Sequence, residues 1–153
     1  MTLFPIADVS LYGESGNLGN GAGEHLFAGF TNQGNERRAL VRFDLSSIPA
    51  DATVTSVRLE LTVDRTQAGP LSYGLHRVTT SWSEGVENAG DSEGRGASNP
   101  SGATWTRATL TTHWGAPGGD FETNASGSAT VDALGTGVSW ESAGLVADVQ
   151  AWL

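Results

Sequence analysis

The sequence predicts an all-β protein, a β-sandwich or jelly roll closed by one short C-terminal helix. Period-two alternation of apolar and polar residues recurs along the chain, and each alternating stretch is bounded by glycine, asparagine or proline. Many short strands at such spacing are the signature of sandwiches and jelly rolls. Length agrees: 153 residues suit a single domain, 1–153, and a chain of this size buries about 70% of its unfolded surface without help from disulfides.

In Arg38 to Leu45, the side chains of Ala39, Val41, Phe43 and Leu45 share one face and Arg42 and Asp44 take the other. A turn at Ser46–Ala52 follows. Then Val57, Leu59, Leu61 and Val63 alternate with Arg58, Glu60, Thr62 and Asp64, the clearest half-buried strand in the chain. Further strands are expected at Asp8–Leu11, Glu24–Phe30, Leu71–Val78, Ala103–Thr109, Ser128–Leu134 and Thr136–Trp140. Asn20-Gly21 reads as a tight turn. Near the end, Ser142 is placed to cap a helix over Ala143–Trp152, with Leu145, Val149 and Trp152 on one apolar stripe across an open end of the sandwich. Between these elements, Ser83 to Gly102 is almost free of large apolar residues and is expected to lie outside the core, as a functional or disordered loop.

Charge excludes several partners. There are 17 acidic residues against 8 basic ones, all of them arginine, for a net charge of -9. Such a surface repels a phosphate backbone and an anionic membrane, and it disfavours polyanionic sugars. No apolar run approaches the roughly 18 residues of a membrane span, so no membrane insertion is expected. The start, Met1-Thr2-Leu3-Phe4-Pro5, lacks the cationic and apolar parts of a signal peptide, so the chain is either cytoplasmic or defined without its leader. Cysteine is absent, which removes thiolate metal sites and cysteine nucleophiles.

Catalysis finds no motif. His25, His76 and His113 are not spaced as a metal pair, and neither HExxH nor GxSxG occurs. The carboxylate pairs Glu84 with Glu87 and Asp91 with Glu93 fall in the glycine-rich loop, where solvated charge is the ordinary state. The chain is therefore expected not to be an enzyme. Structural calcium is the expected cofactor, since oxygen ligands suffice for it: Asp8 and Asp148, near opposite ends of the chain, and the loop residues Asp91 and Glu93 are the candidate ligands. Among the large aromatics, Trp82, Trp105 and Trp152 are expected in the core, because burying so large an apolar surface is favourable. Trp114 stands in a turn before Gly115-Ala116-Pro117-Gly118-Gly119, where an exposed ring would stack on a sugar face, with Arg107 or Asp120 beside it.

The block Arg38-Ala39-Leu40-Val41-Arg42-Phe43-Asp44-Leu45-Ser46-Ser47-Ile48-Pro49-Ala50, with Ala52-Thr53-Val54-Thr55-Ser56-Val57 after it, resembles the DNRLRE domain family. Val78-Thr79-Thr80-Ser81-Trp82-Ser83-Glu84 and Ala103-Thr104-Trp105 look like the paired tryptophan elements of that family. The resemblance extends from about Phe4 to Leu153 and is strongest over residues 38–84. It implies a jelly-roll sandwich, secreted or displayed on a cell surface, serving as a non-catalytic accessory or adhesion module. Some relatives bind acidic polysaccharides, so a polysaccharide is an implied ligand. Relatives also continue past the segment Gly144–Leu153 into another strand, whereas this sequence stops. The expectation is then a sandwich lacking its last strand, whose open edge could join copies into a homo-oligomer by strand exchange, as in a surface layer, filament or matrix.

Overall fold

The computed structural model describes residues 1–66, 69–90, 93–132 and 134–153. Every strand pairing is antiparallel, and the helix described follows the last strand. The chain is therefore all-β with one short C-terminal helix, consistent with a β-sandwich. It divides into two compact units, each made of two chain segments: residues 1–44 with 78–120, and residues 45–77 with 121–153.

The first unit is built on β1 (Pro5–Tyr12) and β4 (Glu36–Phe43), paired from Pro5↔Phe43 to Tyr12↔Arg37 with an irregularity between Pro5 and Ala7. Three shorter strands, β2 (Leu18–Asn20), β3 (Gly29–Phe30) and β7 (Ala97–Ser98), complete the order β3-β4-β1-β2-β7. Cross-strand partners share a face, so Ala7, Val9 and Leu11 stand with Arg42, Leu40 and Arg38. Trp82, Ala103, Ala108 and Trp114 bury that face, with Val78 and Trp105 packed against them. Arg42 is exposed and Ala39, Val41 and Phe43 are half-buried, as the alternation predicts, but Leu40 is buried on the face of the two arginines, which it does not. The arginines fit there because each guanidinium lies over an indole: Arg42 is 4.8 Å from the Trp82 ring centre and Arg38 is 5.0 Å from that of Trp105. The opposite face carries Ser10 and Tyr12, both fully buried.

The expected strand Ala103–Thr109 is absent as such. Thr104 Oγ1 accepts the N–H groups of Thr106 and Arg107, and this local side-chain bonding bends the chain where a ladder would have formed. Only an isolated bridge, Arg107↔His113, remains.

The second unit holds two strand pairs. β5 (Arg58–Thr62) runs against β9 (Gly137–Glu141), and β6 (Leu71–Leu75) against β8 (Gly127–Val131), with β8 and β9 side by side. Leu59 opposes Trp140 and Leu61 opposes Val138. Trp140 and Val138 are buried, but Leu61 is 37% exposed, so the inward position expected of Leu61 is only half met. Its strand lies at the rim.

The helix α1 (Ala143–Trp152) starts where the sequence predicts: Ser142 is extended and its Oγ accepts the Leu145 N–H at 3.1 Å. Gly144 lets it approach β8, since a Cβ there would collide with the Ser126 carbonyl. Gln150 ties it to the segment before β5, accepting from Val54 N–H at 2.9 Å and donating to Ala52 O at 3.1 Å. Trp152, however, is 52% exposed, against its expected place in the core. It is the last helical residue, beyond the part of α1 that these bonds hold.

Candidate functional site

Candidate chemistry concentrates in the first unit, where the segment 84–102 meets residues 20–27. Among its described residues, part of that segment is built into the fold, against the expectation that it lies outside the core. β7 pairs with β2 inside it, and Glu93 and Pro100 are buried. Glycine makes the close approach feasible: a Cβ on Gly21 or on Gly102 would strike the Glu84 carbonyl.

Glu93 is the hub. Its backbone is left-handed, at φ 48°, a conformation costing about 1–3 kcal/mol that persists only where surroundings over-determine it. Those surroundings are visible. Its carboxylate accepts Glu24 N–H at 2.7 Å, His25 N–H at 2.9 Å and the Asn20 amide at 3.0 Å, and its carbonyl accepts the Tyr12 hydroxyl at 2.8 Å. Burial alone would raise the Glu93 carboxyl, but these donors and the nearby His25 outweigh it and hold the group below its ordinary value. Asn20, expected only as a turn residue, is itself a buried latch whose Oδ1 accepts Ala89 N–H.

Arg37 closes the same region. Its guanidinium lies 4.8 Å from the Tyr12 ring centre and 5.5 Å from that of Phe27, pairs with Glu14, and donates to Gly94 O at 2.6 Å. Burial, partly opposed by the Arg37 charge, pushes the Tyr12 hydroxyl up to about 12. It therefore stays a neutral donor.

Of the three residues expected to bind sugar, Trp114 and Arg107 meet at Thr104 and Asp120 bonds the turn after Trp114, but each has another occupation. Trp114 is only 6% exposed, and its Nε1 donates to Thr104 O at 2.8 Å. The expected exposed platform is thus overturned. The reason is Asp120, which accepts Gly115 N–H, Thr80 hydroxyl and Ala116 N–H and so curls the following turn, leaving the indole inside. Those bonds, led by the Gly115 N–H, hold the Asp120 carboxyl below its ordinary value. Arg107 donates to Asn17 Oδ1 at 2.7 Å and Pro100 O at 3.2 Å. All three fasten loops.

The expected calcium ligands that are described each have their own partners. Asp8 is in β1, where its N–H donates to Glu84 Oε1 at 2.8 Å, and burial followed by the Glu84 charge pushes its carboxyl up. Asp148 is in α1 of the other unit, bonded by the Ser126 hydroxyl and 3.8 Å from Arg77. Asp91 lies outside the described residues. The Glu93 oxygens point at N–H donors, an arrangement that satisfies a carboxylate without a cation. Among the described residues no group of three His, Cys, Asp or Glu side chains is placed to hold a metal ion.

The other candidates are likewise engaged locally. Glu87 accepts the Ser101 hydroxyl at 3.0 Å while Glu84 faces Asp8, so the pair expected from sequence is directed to different partners. His76 Nδ1 lies 2.9 Å from Glu122 O and His113 Nδ1 3.1 Å from Thr106 O. In the second unit two open depressions, of about 350 and 430 Å³, are lined by residues such as Glu60, Thr62 and Ser139, and Thr55, Ser56 and Glu141. No helix among the described residues is long and apolar enough to cross a membrane. Comparison with family models, curated proteins and solved structures found no match.

Proposed function

We propose that the chain is a non-catalytic module of DNRLRE type, a jelly-roll sandwich that serves outside the cell as an accessory, adhesive or structural part of a larger assembly. One observation carries the reading. The side chains whose chemistry could serve a substrate, Glu93, Asp120, Arg107 and the Trp114 indole, instead hold loop segments to one another through bonds to backbone groups. This favours a structural or adhesive role over sugar binding, because stacking on a sugar needs an exposed ring and Trp114 is turned inward.

The test is affinity electrophoresis through gels containing neutral or acidic polysaccharides, with reducing ends measured in the same samples. Unretarded migration and no new reducing ends are expected. Retardation by a polysaccharide would restore the sugar-binding module, and release of new ends would overturn the non-catalytic reading.

A further inference from the structure

Among the described residues, β5 is paired with a strand on one side only. Its register with β9 runs from Arg58↔Glu141 to Thr62↔Gly137, and no strand among the described residues pairs with its other edge. Its burial pattern leaves all of its residues exposed except Leu59. An edge strand of this kind offers its outward N–H and C=O groups to any strand that can align with it.

The side chains select the strand that aligns best. Val57-Arg58-Leu59-Glu60-Leu61 is its own complement when read against an antiparallel copy centred on Leu59. Arg58 then faces Glu60 of the second copy, Glu60 faces its Arg58, Leu59 meets Leu59, and Val57 meets Leu61. Directly opposed unlike charges are favourable in a sheet and like charges are not. Centring on Arg58 or Glu60 would set a charge against itself, and a one-residue slip would put charged side chains opposite apolar ones. The existing contact between Arg58 and Glu60, 3.3 Å with both side chains largely exposed, is a weak surface pair that can be remade across the seam. Leu61, left at the rim in one copy, gains Val57 of the other as a neighbour.

We propose that β5 pairs antiparallel with β5 of a second copy of this chain about a two-fold axis at Leu59, joining two β5–β9 pairs into one sheet. The contact is isologous, so it closes at a dimer. It deepens the structural reading above and rests on it.

Sedimentation equilibrium over a wide concentration range tests it on the whole chain, with circular dichroism to confirm folding. Wild type is expected to dimerise. Arg58→Glu and Glu60→Arg each place like charges across the seam twice, so each should weaken dimerisation at least tenfold. The double variant Arg58→Glu/Glu60→Arg should recover it. An equimolar mixture of the two single variants should form heterodimers that neither forms alone. A wild type that stays monomeric throughout overturns the proposal. So does a folded double variant that stays monomeric, or single variants that dimerise as wild type does. None of these outcomes bears on the polysaccharide gels, whose result decides the functional reading separately.

Discussion

The two units use the same kind of strand and differ in what covers it. In the first, β1 is buried on both faces from Val9 to Tyr12, by tryptophans on one side and by a polar-rich loop on the other, and β4 beside it is mostly half-buried. In the second, buried Trp140 and Val138 face a β5 that is mostly exposed, and the helix is held largely by Ser126, Ser142 and Gln150. The difference shows that a loop without large apolar residues can still close a core. What it needs is side chains that satisfy the buried backbone, and residues 84–102 supply them, whereas no such loop lies over the outer edge of β5 among the described residues.

Breaking the first unit from its apolar side should have the largest effect. Trp114→Ala removes a buried indole from the cluster of Leu11, Leu40 and Trp82 and orphans the Thr104 carbonyl it serves. A loss of about 3–5 kcal/mol is expected, measured by urea unfolding followed by fluorescence. A loss below 1 kcal/mol would mean that the indole is not part of the core and would reopen its reading as an exposed platform.

The polar side comes next. Glu93→Gln keeps the shape but replaces a carboxylate that accepts three donors, and should cost about 1–3 kcal/mol. Its pH dependence has a definite sign. A carboxyl held low in the folded state contributes stability above its ordinary value and loses it on acidification, so Glu93 and Asp120 weaken the fold as pH falls below 4.5 and 3.8 respectively. Asp8, pushed up, acts in the opposite sense: its contribution is full below 3.8 and fades as pH rises through its folded value. Urea midpoints across the acid range should therefore fall less steeply in Glu93→Gln than in wild type. Parallel curves would show that this latch does not couple protonation to stability.

Local signals were legible in the sequence and distant ones were not. The Ser142 cap and the alternation of Val57–Val63 depend on residues a few positions apart, and the cap appears where expected and the alternation does so except at Leu61. The burial of Glu93 depends on Asn20, Glu24 and His25, some 70 positions away, and nothing in a glycine-rich, acidic segment announces that its carboxylate will meet their donors. The burial of Leu40 has the same origin: it shares a face with Arg42, and only the packing of Trp82 and Trp114 from distant segments makes that face part of the core. Trp114 misled because its flanking glycines signalled a turn correctly, while the direction of the ring is set by the bonds Asp120 makes within that turn.

The smallest effect is expected at the end of α1. Trp152 is as large as Trp114 and lies on the stripe that the helical spacing predicts, so sequence alone would assign it a comparable energy. Its ring is half exposed, though, and truncation there removes contacts on one side without opening an enclosed cavity. Trp152→Ala should therefore cost no more than about 1 kcal/mol in the same urea titration. Leu145→Ala, nearer the Ser142 cap and beside Gly127, should cost more, because its side chain is half-buried against β8. If Trp152→Ala instead matched Trp114→Ala, the helix end would have to be packed in solution, and the second unit would be closed by its terminal turn in the way the first is closed by its loop.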